Sequence, residues 1–252
     1  MGSALAAAIC RKKDINIYIS DVNINKAEAF AKENGAEVAS NEFIAGTCDF
    51  IFLAVKPNAF EQVIKSIRSN LLSNKNSVIV TMAAGLSLEK VGSFVSEKHP
   101  IIRIMPNTPA AVGEGMITWC KNDLVSPDSS AQLEDMLSFA GKLDQIDEKL
   151  IDAASAIAGC GPAFAYIFAE ALADGAVLCG LPRDRAIEYA ARTLLGAASM
   201  ILTTGKHPEL LKDEVCSPGG TTIEGVAALE RGAFRAAAQE AVIAAFEKTK
   251  KL

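Results

Sequence analysis

Residues 50–82, FIFLAVKPNAFEQVIKSIRSNLLSNKNSVIVTM, decide the fold class of this chain of 252 residues. Residues 50–55 and 77–82 are short apolar runs rich in β-branched and aromatic side chains and bounded by turn residues, which is typical of strands. Between them, residues 58–71 repeat apolar side chains at helical spacing. Near-continuous apolar strands joined by a helix predict a parallel sheet that helices cover on both faces.

The same alternation extends over the first part of the chain. It predicts further strands at 15–19 and 101–105, with two more at 116–120 and 143–146, and further helices at 25–33 and 87–98. An open parallel sheet of this kind usually binds a dinucleotide at the carboxyl ends of its strands. We therefore predict an α/β fold class, with a Rossmann-like, mostly parallel sheet forming a dinucleotide-binding domain over residues 1–147.

Residues 148–252 carry a different pattern, in which Ala, Leu and Ile recur at helical spacing and strand signals stop. Breaks at 159–162, 180–182, 207–208 and 217–220 divide this part into five or six helices. These helices are rich in alanine and weakly polar, and about 100 residues offer too little interior to bury them all. The pattern predicts an all-helical domain for substrate binding and dimerisation.

The amino-terminal sequence MGSALA, residues 1–6, reads as the start of a helix. Gly2 would then be the last glycine of a G-x-G-x-x-G turn, and the central first strand of the sheet would be missing from the sequence. Its neighbours would expose unpaired edges. The alternative is an ordinary alanine-rich helix with no such turn before it.

Composition excludes several classes of function. The net charge is −5, the pI is near 5.2 and there is no long Lys/Arg cluster, so we expect no nucleic acid partner and no membrane partner. The longest charge-free stretch, 153–169, is broken by glycine and proline and is shorter than the roughly 20 residues of a membrane span. No signal sequence is evident, which predicts a cytoplasmic protein. Six cysteines without a CxxC pair and two histidines predict no metal site.

Several residues at the predicted strand ends suit a dinucleotide. Asp21 follows the 15–19 strand, where an acidic side chain commonly accepts hydrogen bonds from the ribose of NAD, or else orders a turn with Asn23. Lys56 follows the next strand and is either a phosphate ligand or a solvated charge. Ala83 and Ala84 end the 77–82 strand and either allow close approach of a flat ring or form a tight turn.

Two motifs then indicate a family. RIMPNTPAAVGEG at 103–115 and DEVCSPGGTTIEG at 213–225, together with AVKP at 54–57 and GPAFAY at 161–166, resemble the pyrroline-5-carboxylate reductases along essentially the whole chain. The resemblance implies reduction of the cyclic imine 1-pyrroline-5-carboxylate to L-proline, the last step of proline biosynthesis. It implies NADPH or NADH as cofactor, a small-molecule substrate, and either a homodimer or a ring of dimers.

The resemblance also assigns residues. Thr222 would be catalytic, as a hydroxyl that bonds the imine nitrogen, and the turn before its helix would hold the substrate carboxylate on free N–H groups. The alternative is a capping turn without a ligand. The implied substrate-binding set is Ser217, Gly219, Gly220, Thr221 and Thr222, and the implied cofactor-binding set is Met1, Gly2, Ser20, Asp21, Asn41, Ala54, Val55, Lys56, Pro57, Met82, Ala83 and Ala84. The family generally prefers NADPH, whereas Asp21 favours NADH, so the cofactor preference is open.

Two other functions fit the same architecture. A β-hydroxyacid-dehydrogenase-like oxidoreductase would need a general acid, commonly a lysine on the long helix after the sheet domain, but no lysine lies between Lys149 and Lys206. A truncated, non-catalytic relic that acts as a dimeric binding module would keep the helical part and lose cofactor binding. Cofactor titration separates the relic from the enzyme.

Overall fold

The computed structural model describes residues 1–250, which form two compact units. The first unit runs from Met1 to Cys160 and includes the chain from Ala245 onward, and the second runs from Gly161 to Ala244. The domain boundary predicted at residue 147 stays a prediction. The sheet unit continues beyond it because Ile151 is buried against Met105 and Cys120 of the sheet.

The first unit alternates strands and helices along most of its length. Its strands are β1 (Tyr18–Ile19), β2 (Glu37–Val38), β3 (Phe50–Leu53), β4 (Val78–Thr81), β5 (Ile101–Met105), β6 (Gly115–Lys121) and β7 (Gly141–Gln145). Its helices are α1 (Gly2–Ile9), α2 (Ile24–Asn34), α3 (Asn41–Thr47), α4 (Pro57–Ser73), α5 (Leu88–Phe94), α6 (Pro127–Leu137) and α7 (Ile151–Ala158). Short 3-10 helices occupy Thr108–Val112 and Glu148–Leu150.

The strands form two separate sheets. β1 pairs in parallel with β2, and a five-stranded sheet has the order β3-β4-β5-β6-β7. All neighbours in the larger sheet are parallel except β5 and β6. The fold class predicted from the sequence, a mostly parallel sheet followed by helices, is confirmed. β1 and β3 are not hydrogen-bonded to each other.

Two apolar cores cover the larger sheet, one on each face. Leu5 and Ile9 of α1 pack with Trp119 and with residues of α6 on one face. Phe60 and Ile64 of α4 pack with residues of α3 and α5 on the other. Every residue of β4 and β5 is buried, as expected for parallel strands between two helical layers.

The structure contains three elements that the sequence did not predict, and one predicted strand is shorter than expected. β2, α3 and α6 were not predicted: β2 is only two exposed residues long, and α3 and α6 begin at serine caps rather than at a strong apolar pattern. The strand predicted over 15–19 is regular only at Tyr18–Ile19. Its ladder to β2 is short and its other edge lacks a partner strand, so little holds residues 15–17 in a regular strand.

The second unit is entirely helical in the part that the structure describes. It contains α8 (Gly161–Leu178), α9 (Arg183–Thr204), α10 (Pro208–Glu214), α11 (Thr221–Arg231) and α12 (Phe234–Thr249), which continues past the end of the unit. With α7, this gives six helices after residue 147, separated at every break predicted from the sequence. Gly232 and Ala233 form a further break that was not predicted, with Ala233 at φ +54°.

The helical unit has a very small core of its own. Its buried residues are Ala173, Ala186 and Ala190, where α8 packs on α9. Large apolar side chains stay exposed, including Leu178 at 89% and Leu202 at 85% of their full accessibility. One helical stretch of the described chain, Glu148–Leu178, has the length and composition to cross a membrane, and 11% of its most apolar window is buried.

Candidate active site

A cleft of about 1460 Å³ in the first unit collects most of the residues that the family resemblance assigns to the cofactor. It lies where β1 and β3 end and α1 begins. The predicted cofactor residues that line it are Met1, Gly2, Ser20, Asp21, Asn41, Ala54, Val55, Lys56 and Met82. Pro57, Ala83 and Ala84 do not line it. Ala83 is buried, and its N–H donates to Thr81 Oγ1 at 3.2 Å, which is the turn that the sequence left as an alternative.

Gly2 makes the close contact that sets the position of α1. A Cβ built on Gly2 would lie 2.6 Å from Cβ of Ala54, which is too close for any real pair of carbon atoms. The start of α1 therefore approaches the carboxyl end of β3 so tightly that only glycine fits. Close helix–strand packing is also the role of the last glycine in a dinucleotide-binding turn, and the assignment of Gly2 to such a turn stays a prediction.

The first turn of α1 is suited to bind an anion. The helix begins at Gly2 without a side-chain cap, and the first N–H groups of a helix have no partner within it. These groups and the positive end of the helix dipole lie beside the cleft, where Met1, Gly2 and Ser3 form part of the lining. The residues present therefore fit the pyrophosphate of a dinucleotide.

Asp21 orders a turn and also lines the cleft, and its role as a ribose ligand stays a prediction. Its Oδ1 accepts a hydrogen bond from the backbone N–H of Asn23 at 2.9 Å, so the carboxylate orders the turn that starts α2. Its side chain also lines the cleft. Lys26 Nζ lies 3.5 Å from Oδ2 and lines the cleft as well, so a cation stands next to the carboxylate.

The second unit holds the predicted substrate turn. The N–H of Gly220 donates to the carbonyl of Ser217 at 3.0 Å, and Gly219 has φ +67°. With Pro218 at the second position, this is a type II β-turn, in which the third residue must adopt positive φ. The turn leads directly into α11, whose cap residue Gly220 has no side chain to bond the first N–H groups of the helix.

The helix start after this turn is open. Ser217, Gly219, Thr221 and Thr222 are exposed, and Gly220 is half-buried. The structure thus brings the predicted substrate residues together in one turn and helix start, where backbone N–H groups can donate hydrogen bonds to a carboxylate. No group of three metal-ligating side chains occurs in residues 1–250, and the roles assigned to the individual residues stay predictions.

Asn107, at the centre of the MPNTP motif, has a role that the sequence did not show. Its Nδ2 donates to the carbonyl of Ala158 at 2.9 Å, and its Oδ1 accepts from the N–H of Met116 at 3.0 Å. The side chain is buried and joins the loop after β5 to β6 and to the end of α7. Asn107 therefore holds the loop after β5 in place.

Arg103, in the same motif, links the sheet to the segment that follows it. Its guanidinium is buried, lies 2.9 Å from Asp152 Oδ1 and lies 3.4 Å from Glu148 Oε1. Glu148 also accepts the N–H of Leu88 at 2.7 Å, at the start of α5. The sequence signal for this network was a charged residue inside an otherwise apolar strand, which requires buried partners.

Two buried titratable groups near the sheet, His99 and Cys120, are not suited to acid–base chemistry. Burial lowers the pKa of His99, whose Nε2 lies 3.1 Å from Ser77 Oγ. Burial, followed by the nearby Glu148, raises the pKa of the Cys120 thiol to about 12. Neither residue lines the cleft, so proton transfer would have to come from other groups.

An open, mostly parallel sheet with a helix start beside a cleft at its strand ends is typical of dinucleotide-binding oxidoreductases. Comparison with known proteins specifies the family. Residues 148–252 match the family described as pyrroline-5-carboxylate reductase dimerisation, and residues 1–85 match the family described as NADP oxidoreductase, coenzyme F420-dependent. The pyrroline-5-carboxylate reductase of Escherichia coli K12 is 40% identical, over 100% of this chain and 94% of its own length.

Other relatives agree. Pyrroline-5-carboxylate reductase 3 of Danio rerio is 42% identical over 94% of this chain and 82% of its own length. Among solved structures, the Streptococcus pyogenes 1-pyrroline-5-carboxylate reductase has a TM-score of 0.89 at 33% identity, covering 100% of this chain and 95% of its own. The Plasmodium falciparum pyrroline carboxylate reductase with NADP bound has a TM-score of 0.86 at 34% identity, covering 100% and 94%. This chain belongs to the pyrroline-5-carboxylate reductase family, and the family resemblance predicted from the sequence is confirmed.

Proposed function

We propose that this chain reduces 1-pyrroline-5-carboxylate to L-proline with hydride from NAD(P)H, the last step of proline biosynthesis. The main support is the 40% identity with the E. coli reductase, which covers the whole chain, including the turn at 217–220 and the cleft residues. The second unit of this chain also matches a family specific to these reductases.

The cofactor would be held by the cleft of the first unit. The first turn of α1 would bind the pyrophosphate, and Ser20 and Asp21 would bind the ribose of the adenosine half. Asn41, Ala54–Lys56 and Met82, which line the cleft, would contact the remainder. When bound, the reduced nicotinamide supplies the hydride.

The carboxylate of the substrate would bind the N–H groups at the start of α11. The turn before it contains Pro218, Gly219 and Gly220, and Gly220 carries no side chain to cover these groups. An exposed helix start bonds a carboxylate through two or more N–H groups and the helix dipole, so no arginine is required.

Thr222 would donate its hydroxyl hydrogen bond to the ring nitrogen as the amine forms. A protonated imine is already electrophilic. The protein therefore mainly has to hold the ring carbon close to the nicotinamide, in the orientation for hydride transfer, and to exclude water. This explains how the family's reaction can proceed without a histidine or lysine acid. It also separates the proposal from a β-hydroxyacid-dehydrogenase-like function, which needs such an acid and which the comparisons do not favour.

The preference between NADPH and NADH would depend on two neighbouring charges. Asp21 accepts hydrogen bonds from ribose hydroxyls and repels the additional phosphate of NADPH, whereas Lys26 attracts it. Because their side chains lie within 3.5 Å, the carboxylate partly offsets the lysine charge. We propose that the chain uses both cofactors.

We propose a homodimer built through the helical unit, with a ring of dimers as the higher assembly. The exposed apolar side chains of α8 and α9 would be buried against a second copy, in keeping with the dimerisation family that matches residues 148–252. The same burial would account for the apolar stretch Glu148–Leu178 without a membrane. A cytoplasmic location follows from the biosynthetic role, and it is part of the proposal.

An oxidation assay tests the proposal. The chain is mixed with NADPH or NADH and 1-pyrroline-5-carboxylate, and both the loss of reduced cofactor and the formation of proline are followed. Equal amounts of proline and oxidised cofactor are expected. Cofactor titration accompanies the assay, because a non-catalytic relic would show neither turnover nor cofactor binding, whereas an enzyme of another specificity would bind cofactor without forming proline.

A further inference from the structure

Asn107 lies at the same edge of the sheet as the cofactor cleft, although it does not line the cleft. It follows β5 closely, and β5 runs parallel to β4, so the carboxyl ends of both strands lie at this edge. The adenosine ribose is proposed to bind after β1 and the pyrophosphate at α1, so the nicotinamide half would extend toward the ends of β4 and β5. Met82, which follows β4 and lines the cleft, belongs to the predicted cofactor set. The loop that begins at Asn107 therefore starts beside the reacting half of the cofactor.

The side-chain amide of Asn107 is buried and uses both of its polar atoms on backbone groups of other segments. Nδ2 donates to the carbonyl of Ala158, and Oδ1 accepts from the N–H of Met116. Asn107 also precedes the 3-10 helix Thr108–Val112, but its side chain makes no capping bond to that helix. The start of the 3-10 helix is therefore fixed from outside, by β6 and by the end of α7.

The 3-10 helix connects Asn107 to the cofactor site through packing. The helix packs on α1, and its residue Ala110 is buried in the same apolar core as Leu5 of α1. Met82 packs against this core. A Cβ built on Gly115 would lie 2.9 Å from Cβ of Ala110, so β6 also approaches the 3-10 helix closely. Because such a core is close-packed, a displacement of the 3-10 helix is transmitted to Met82.

We infer that Asn107 is a positioning residue for hydride transfer, because it fixes the 3-10 helix that supports Met82 and thereby holds the nicotinamide in one orientation. The inference rests on the proposed reductase function. A displacement of about 1 Å far from the reacting atoms can cost about a hundredfold in rate. Asn107 does not line the cleft, so its removal should slow the hydride transfer step and leave the affinity for the cofactor nearly unchanged.

Asn122 supplies a matched control at the opposite end of β5. Its Oδ1 accepts from the N–H of Ile101 at 3.1 Å, and its Nδ2 donates to the carbonyl of His99 at 2.9 Å. Asn107→Ala and Asn122→Ala therefore each remove one bond to a backbone N–H and one bond to a backbone carbonyl. Both substitutions should lower the midpoint of urea unfolding, but only Asn107 lies at the cofactor edge of the sheet.

The test combines the rate of hydride transfer with the fluorescence of the bound cofactor. Single turnovers are followed with 1-pyrroline-5-carboxylate and NADPH or NADH, whichever binds more tightly. The Kd and the fluorescence anisotropy of the bound reduced cofactor are measured without substrate, so this second readout needs no turnover. Asn107→Asp, which keeps the shape and the Oδ1 acceptor but loses the Nδ2 donor, replaces the alanine variant if that variant does not fold.

Asn107→Ala should lower the rate constant of hydride transfer at least about tenfold, with the Kd of the cofactor changed less than about threefold. The anisotropy of the bound cofactor should fall, because the nicotinamide is no longer held in one orientation. Asn122→Ala should leave the rate constant, the Kd and the anisotropy unchanged despite a similar decrease in the urea midpoint. Loss of folded protein lowers the amplitude of a single turnover and not its rate constant, so a merely structural role would not give this result.

An unchanged rate constant in a folded Asn107 variant would overturn the inference, and so would equal slowing by Asn107→Ala and Asn122→Ala. If the original chain binds the cofactor but forms no proline, the proposed reductase function fails and the anisotropy alone decides the inference. Equal anisotropy in the original chain and the Asn107 variant would then overturn it. Absence of cofactor binding by the original chain would overturn both proposals.

Discussion

Replacing Gly2 with alanine tests how the cofactor cleft is built. The added Cβ would lie 2.6 Å from Cβ of Ala54, so either the start of α1 or the end of β3 must move by about 1 Å to restore an ordinary contact. The atoms that would move carry the N–H groups proposed to bind the pyrophosphate. The substitution should therefore weaken cofactor binding more than it disturbs the rest of the fold.

The magnitude follows from the cost of inserting a methyl group into a packed site. Such insertions typically cost about 1–3 kcal/mol. If the cofactor-bound state requires the original position of α1, that cost appears in the binding free energy. Since about 1.4 kcal/mol corresponds to a tenfold change, the Kd for NAD(P)H should rise roughly fivefold to 150-fold.

The assay is a titration of nicotinamide fluorescence with matched controls. Gly46→Ala is the first control, since a Cβ there would meet Asn70 Nδ2 at an ordinary 3.8 Å and should leave the Kd unchanged. The double variant Gly2→Ala, Ala54→Gly removes the atom that the new methyl group strikes, so it should recover most of the lost affinity. Thermal unfolding of each variant without cofactor shows whether the protein stays folded.

An unchanged Kd in a folded Gly2→Ala variant would contradict the placement of the pyrophosphate at α1. If the double variant fails to recover the affinity that Gly2→Ala loses, the loss would instead come from helix propensity or from general disorder of the amino-terminal segment.

Three further predictions concern single side chains. Thr222→Ala should lower turnover on 1-pyrroline-5-carboxylate about twofold to tenfold, as expected for one lost hydrogen bond to a neutral amine nitrogen. The cofactor Kd should not change, and Thr222→Ser should retain most activity; unchanged turnover in Thr222→Ala would remove Thr222 from the mechanism. Asp21→Ser should raise the preference for NADPH over NADH, as measured by kcat/KM, and a constant ratio would refute the ribose assignment. Burial favours the neutral form of His99 and lowers its pKa in the folded protein below the ordinary value of 6.5. The unfolded chain therefore binds a proton at His99 more readily than the folded chain does. The free energy of unfolding should accordingly fall as the pH drops below 6.5. Urea unfolding measured between about pH 7 and 5 should show a smaller pH dependence of the unfolding free energy in His99→Asn than in the original chain. An identical pH dependence in the two proteins would contradict this.

Much of the fold could be predicted because its strands are buried on both faces. β5 lies at the predicted residues 101–105, and β3 and β4 lie inside their predicted ranges, since near-continuous apolar runs are the direct consequence of two covering layers. β2 was not predicted, for the opposite reason. It has two exposed residues, and pairing with β1 rather than its own sequence makes it a strand.

The candidate site was predictable where backbone conformation, rather than a side-chain contact, defines it. Gly219 at positive φ and Pro218 before it are turn signals that can be read locally, and Gly2 is a close-approach signal of the same kind. Asn107 and Arg103 could not be assigned, because their roles depend on Ala158 and Asp152, which lie far along the chain. A side chain that joins distant segments leaves no periodic pattern in the sequence around it.

Transfer of a labelled hydride tests the central claim most directly. The chain is incubated with 1-pyrroline-5-carboxylate and NADPH or NADH in which both hydrogens at nicotinamide C4 are deuterium, and the product is analysed by mass spectrometry. The account predicts proline with a single deuterium at C5, formed in amounts equal to the oxidised cofactor. Proline without deuterium, or oxidation of the cofactor without proline, would contradict direct hydride reduction of the imine by this chain.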